Sequence, residues 1–287
     1  MIRLIVPYVH AGGTDKRSRL LARALADELG EPIEVENLTG AVAGHTAIAN
    51  AAPDGNTLGM ITGEIGMMHW HAGVTDLTWR DYTPLAVPFV EAAAVIVRAD
   101  APWETLASFL ATVRARPLTG SGSPDFGVWK FALDGLLARC GIDRRQLHWL
   151  ATVSGEEGIE RMLEGKADVA PVPMVEAPEL IVSGRIRPLA TMAETRHPLF
   201  PAVPTVREAI GLDWSVAHWR GLVAPAGLSA ARRAQLIAAL ERVRASESFT
   251  SACARAGYSL GWRLGETFGE YMEEDDTLFG RLITNTA

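Results

Sequence analysis

Val6-Pro7-Tyr8-Val9-His10-Ala11-Gly12-Gly13-Thr14-Asp15 joins the apolar run Ile2–Val6 to a segment with Leu20, Leu21, Leu25 and Leu29 on one side. A strand that feeds a glycine-rich turn and then a helix leaves N–H groups unpaired at the helix start. Together with the helix dipole those donors form a site for a carboxylate or phosphate. Thr14 or Asp15 is the expected N-cap, and Gly12 and Gly13 let the backbone approach a ligand closely. The opening segment therefore predicts an anion-binding turn on an α/β scaffold.

Working outward, strand and helix alternate through the first hundred residues: strand Ile2–Val6, helix Lys16–Leu29, strand Ile33–Val35, helix Thr46–Ala52, strand Leu58–Thr62. Pro53-Asp54-Gly55-Asn56 is a strong turn. Ala93–Val97 is β-rich, and after it the alternation restarts. Helix Leu106–Val113, a loop over Thr119–Phe126, helix Val128–Arg139 and strand His148–Leu150 come first. Helix Glu157–Glu164, strand Asp168–Val172, helix Glu176–Val182 and strand Ile186–Ala190 continue the series. Trp214–Trp219 reads as a strand and Gly221–Pro225 as a return crossing; three helical stretches, near 230–244, 249–256 and 266–282, end the chain. Short apolar strands separated by helices predict mostly parallel sheets. Two such units joined by two crossings place a ligand cleft between lobes. The expected lobes are 1–98 plus 226–287 and 99–225, with hinges at 98–102 and 222–225.

The chain has 287 residues, 48% hydrophobic and 21% charged, which suits one large or two smaller globular domains. Its net charge of −7, without a basic cluster, argues against nucleic acid as a partner. No apolar run reaches the length of a membrane span, and Ile2-Arg3-Leu4-Ile5-Val6 does not read as a signal peptide, so the expectation is a cytoplasmic protein or an exported precursor trimmed to its mature part. Cys140 and Cys253 are read as small buried thiols, with a disulfide as the alternative.

Motifs for chemistry are missing. There is no Gly-x-Ser-x-Gly elbow, no P-loop, no Gly-x-Gly-x-x-Gly and no His-Glu-x-x-His. His69-Trp70-His71 lacks a third ligand nearby, so no metal, no cofactor and no catalytic residue is expected. A chain with a cleft and no reaction machinery reads as a binder.

Ordered along the chain, Val6–Asp15, Glu36–Ala41, Ala51–Leu58, Gly165–Val169, Ser183–Ala190, Pro201–Thr205 and Trp219–Gly227 resemble the solute-binding receptors of tripartite tricarboxylate transporters, the Bug family. The resemblance implies an α/β, two-lobed periplasmic-binding-protein type II fold without enzymatic activity. It implies a periplasmic, monomeric receptor that closes on a small carboxylate or amino-acid-like solute and passes it to membrane permease subunits. It also implies an export signal removed from this sequence. An effector-sensing module of the same fold is the alternative, and an enzyme on a bilobal scaffold a further one.

The resemblance puts the solute against loops His10–Thr14, Thr62–Met67, Ser121–Gly127, Val153–Glu156 and Pro171–Met174. The candidate ligand-binding residues are Tyr8, His10, Ala11, Gly12, Gly13, Thr14, Glu64, Ser121, Ser123, Asp125, Ser154 and Pro173. His10 and Ala11 replace the usual prolines of that family, and Glu64 stands where a small neutral residue is common. Glu64, Asp125 and Glu156 near an anion site are unfavourable unless they meet a cation or are themselves protonated. One reading is a solute with a positive or hydrogen-bond-donating group; the other is that these acids face solvent or pair with Arg17 or Lys130. Trp129, Trp149 and Trp219 offer either an aromatic wall or core packing. Met67 and Met68 read as packing residues, and His218 as a hydrogen-bonded structural histidine.

Overall fold

The computed structural model describes residues 1–63, 68–71, 73–125 and 127–284. In chain order the elements begin with β1 (Ile2–Val6), α1 (Gly13–Leu29), β2 (Ile33–Asn37), α2 (Ala41–Ala49), β3 (Thr57–Thr62), α3 (Met68–His71) and β4 (Tyr82–Ala92). Next come β5 (Ala94–Arg98), α4 (Leu106–Ala115), β6 (Leu118–Ser121), α5 (Val128–Arg139), β7 (Leu147–Leu150), α6 (Gly155–Leu163), β8 (Val169–Val172), α7 (Pro178–Val182), β9 (Ile186–Thr191) and α8 (Val206–Ile210). The chain ends with β10 (Ala217–Pro225), α9 (Ala230–Ala245), α10 (Glu247–Arg255), β11 (Leu260–Leu264) and α11 (Glu266–Thr284).

These elements form two compact units, Met1–Val90 with Trp219–Ala287, and Glu91–His218. The chain therefore passes from one unit to the other inside β4 and inside β10. That differs from the boundaries expected near 98 and 225, because β5 pairs within the second sheet and β10 within the first.

In the first unit the strand order is β11-β4-β10-β3-β1-β2. β1 runs parallel to β2 and β3, with Leu4 opposite Val35 and Leu58. β10 is antiparallel to β3, with Arg220 opposite Thr62, and β11 is antiparallel to β4. In the second unit the order is β7-β6-β8-β5-β9. β6 is parallel to β7 and β8, whereas β5 is antiparallel to β8 and β9. Both sheets are thus mixed rather than mostly parallel: β5 and β10 enter against the direction of the βα series.

Leucine spacing in α1 explains its seat. Leu21, Ala22 and Leu25 are buried in one cluster with Leu4, Val6, Leu58, Met60, Phe89 and Leu222, and α9 adds Leu236, Leu240 and Val243. Each fully buried leucine of this kind contributes roughly 1.5–3 kcal/mol. α1 stops at Gly30, which takes the left-handed conformation at φ 65° while its N–H bonds the carbonyl of Ala26.

Packing in the second unit holds α6 tightly against the end of β6. A Cβ at Gly158 would collide with the backbone of Gly122, so only glycine permits that approach. Capping boxes at Thr105–Ser108 and Thr205–Glu208 start α4 and α8. Both cysteines are free; Cys253 is buried. Burial pushes its thiol up to about 11.

Candidate solute-binding loops

Because β1, β2 and β3 are mutually parallel, their carboxyl ends share one edge of the first sheet, the usual ligand edge of an α/β sheet. The turn after β1 ends in Gly12, the N-cap of α1, with φ −69° and ψ 170°. Thr14 and Asp15 lie inside the first helical turn instead of capping it. The N–H groups of Gly13, Thr14 and Asp15 point out of the helix start, where an α-helix offers them no acceptor.

Asp15 braces this turn. Its carboxylate accepts from the Ala11 N–H at 2.8 Å, from Asn37 Nδ2 at 2.9 Å and from Arg19 Nε at 3.0 Å. Asn37 also donates to the Tyr8 carbonyl at 3.0 Å and accepts from Arg19 at 2.8 Å. Burial would raise the Asp15 carboxyl, but the hydrogen bonds from Arg19, Asn37 and Ala11 outweigh it and hold the group below the usual value. The network fixes Ala11 at φ 61°, the left-handed region that an L-residue enters at a cost of roughly 1–2 kcal/mol.

Two arginines lie behind the same turn. Arg17, 2% exposed, donates to the Gly13 carbonyl at 2.7 Å and lies 4.1 Å from the ring centre of Tyr258. Arg220, 4% exposed, donates from Nε to Thr14 Oγ1 at 3.0 Å. Guanidinium groups remain charged in proteins, so they add to the positive end of the α1 dipole.

Of the sequence candidates here, His10 and Ala11 are exposed, Gly12 and Gly13 half-buried, and Thr14 buried. Tyr8 shares a 2.6 Å hydrogen bond with Thr62 Oγ1, which joins the turn to the end of β3. Glu64 and Met67 lie outside the described residues. Trp219 is buried, with its indole N–H donating to Asp275 at 2.5 Å and its ring edge-on to Phe268. It is core packing rather than an aromatic wall. Burial raises the Asp275 carboxyl to about 6, against the lowering influence of Trp219 and Arg263. His71 bonds Asp276 at 2.9 Å.

In the second unit β6, β7 and β8 likewise end at one edge. The serines there serve the backbone. Ser121 donates to the Leu150 carbonyl at 2.8 Å and Ser123 to the Pro124 carbonyl at 3.1 Å. The Ser123 carbonyl accepts from Trp149 Nε1 at 3.0 Å and from the Thr152 N–H at 3.1 Å. Ser154 is the N-cap of α6, accepting from the Glu157 N–H at 3.2 Å. Pro173 is buried and opens a short turn; Asp125 is exposed and Glu156 half-buried. Trp129 is buried with its ring edge-on to His218. Lys130 is engaged by Asp134 at 2.5 Å, and Arg17 donates to the Gly13 carbonyl and lies over the Tyr258 ring.

Three further residues shape these edges without being singled out as candidates in the sequence: Asn37, Arg220 and Glu176. Arg220 stands in the Trp219-Arg220-Gly221 motif, the one signal that pointed toward it. A Cβ at Gly155 would collide with Glu176 Oε2, so the Glu176 carboxylate occupies the space beside the first residue of α6.

A sequence model of the tripartite tricarboxylate transporter family receptors (TctC) matches residues 18–260. The chain belongs to this receptor family. The receptor is 29% identical over 242 residues to Protein BugT of Bordetella pertussis, a match covering 79% of this chain and 71% of that protein. A TctC solute binding protein from Polaromonas, solved without ligand, is similar at a TM-score of 0.80 and 28% identity, covering 99% of this chain and 98% of that one. MatC from Rhodopseudomonas palustris, solved with bound malate, gives a TM-score of 0.85 at 24% identity, again over 99% and 98%. The receptor is therefore a solute-binding protein with the periplasmic-binding-protein fold. Among its described residues no helix is long and apolar enough to cross a membrane.

Proposed function

We propose that this receptor captures a small carboxylate outside the cytoplasm, with the carboxylate seated on the first turn of α1. It then delivers the solute, chemically unchanged, to membrane permease subunits of a tripartite tricarboxylate-type transporter. The observation that carries the seat is the Gly12–Asp15 turn: outward N–H donors with the buried cations Arg17 and Arg220 behind them. Family membership and the malate held by MatC support the solute class.

Gly13→Asp tests the seat. An acid in the first helical turn suits the dipole, so the fold is retained. The added carboxylate repels a bound one, and affinity for the tightest binder among malate, succinate and adipate falls roughly tenfold or more by calorimetry. Unchanged affinity at an unchanged melting temperature contradicts the seat. Recovery of the intact solute from denatured complex checks that it is carried and not converted.

A further inference from the structure

The turn after β1 is held from both strands that flank it. On the β3 side, Tyr8 bonds Thr62 Oγ1 at 2.6 Å. On the β2 side, one side chain reaches both ends of the turn. Asn37 is the last residue of β2 and pairs with Val6, the last residue of β1. Its Nδ2 donates to the Tyr8 carbonyl at 3.0 Å, where the turn leaves the strand. The same nitrogen donates to Asp15 Oδ1 at 2.9 Å, where the turn has entered α1. Asn37 Oδ1 in turn accepts from Arg19 Nη2 at 2.8 Å.

An amide suits this exchange: two N–H donors meet two oxygens, and its own oxygen meets a guanidinium. A carboxylate in its place would set oxygen against oxygen at both ends of the turn, and an apolar group would donate to neither. Asp15 closes the turn on itself by accepting from the Ala11 N–H at 2.8 Å. The bonds from Asn37 fasten that closed turn to β2. Gly13 and Thr14, whose N–H groups face outward, therefore lie between two anchored points. A network of this kind is worth more complete than in parts, and donors supported in this way keep their direction.

We propose that Asn37 is a positioning residue of this receptor: without touching the solute, its side-chain amide aims the Gly13 and Thr14 N–H donors at the carboxylate. The inference rests on the carboxylate seat proposed above and adds the residue that sets its geometry.

The test is calorimetry on the full chain with the tightest binder among malate, succinate and adipate. Wild type, Asn37→Ala and Asn37→Asp are titrated at pH 8 and at pH 5, and each variant is compared with the wild type at the same pH, which cancels the titration of the solute itself. Asn37→Ala removes both donors and is expected to weaken binding roughly tenfold at either pH. Asn37→Asp keeps the shape but faces Asp15 with a second carboxylate, and at pH 8 it should weaken binding at least as much. At pH 5 the facing carboxyls share a proton and a donor returns, so roughly threefold or more of that loss should be recovered. Wild-type affinity in both variants, with or without a lowered melting temperature, overturns the inference and leaves the carboxylate seat standing: Asn37 would then serve the fold alone. An equal loss for Asn37→Asp at both pH values also overturns it, since a restored donor would not matter. If Asn37→Asp unfolds at pH 8, Asn37→Ala decides. Failure of the wild type to bind any of the three overturns the seat and this inference with it.

Discussion

The starts of α1 and α6 are the same device in opposite electrical settings. Each follows a β-strand of a parallel set, each begins with glycine at the first helical residue, and each presents the positive end of a helix dipole. Around α1 the protein supplies cations: Arg17 and Arg220 are buried against the first turn, and Asp15 is balanced by Arg19. Around α6 it supplies acids, with Glu156 and Glu157 in the first turn and Glu176 beside Gly155. A helix start by itself therefore does not specify an anion site. The charges brought from other parts of the chain decide whether the site is open to an anion.

Removing the charge behind α1 breaks the contrast most directly. Arg220→Met keeps the side-chain volume, and because the buried Arg220 bonds Thr14, loss of its guanidinium is expected to cost stability as well as affinity. Carboxylate affinity should drop by roughly 2–3 kcal/mol, about a hundredfold. Titration calorimetry reads this, and a melting curve verifies folding. A wild-type affinity in this variant means that the buried guanidinium does not bias the turn.

The first unit also has an acid that opposes its cations, and it sharpens the contrast. Asp275 is packed beside Gly63 and Trp219 at the end of β3, with its carboxyl raised to about 6 by burial. In the unfolded chain it titrates near 3.8. Between these values the folded chain holds the proton that the unfolded chain has lost, so stability falls as pH rises through this window. Above it the whole cost applies, about 3 kcal/mol. Asp275→Asn keeps an acceptor for the Trp219 indole N–H. It is expected to be more stable than the wild type at pH 8 by up to that amount, with the two converging below about pH 4. Urea unfolding at both pH values measures the difference; a gap that persists at low pH means that packing, not charge, is responsible.

The smallest effect concerns the shape of the turn. Ala11→Gly relieves the left-handed strain at φ 61°. It also adds freedom to the unfolded chain, for a net stabilisation of roughly 0.5–1 kcal/mol. Carboxylate affinity should stay unchanged, because the Asp15–Asn37–Arg19 network and not the alanine side chain holds the loop. A loss of affinity would show that the strain itself shapes the seat.

Local features were legible in the sequence, and distant ones were not. The β1–α1 turn was readable because Gly12-Gly13 and the leucine spacing of α1 are signals contained within twenty residues. β4 was hidden by Pro84 and Pro88, which suppress a strand reading though the strand forms. β6 and β11 are short and carry Gly120 and Gly261, so β6 passed for loop and β11 fell in the gap left between two helices. Asp15 looked like a cap because acids favour helix starts, yet its carboxylate reaches back to Ala11. Arg220 meets Thr14 across 206 positions of chain, and Glu176 meets Gly155 only because the short turn Met174–Glu176 and α6 converge after β8 and β7. Periodicity reports which face of an element is buried, not which side chain from another element arrives beside it.

The seat of the carboxylate is the central claim, and backbone amide spectra of the 15N-labelled receptor test it most directly. On saturation with its tightest-binding carboxylate, the Gly13 and Thr14 amide protons should move downfield as they gain a charged acceptor, while Gly155 and Glu156 show no such shift. Downfield shifts at Gly155 and Glu156 with Gly13 and Thr14 unmoved would contradict the account.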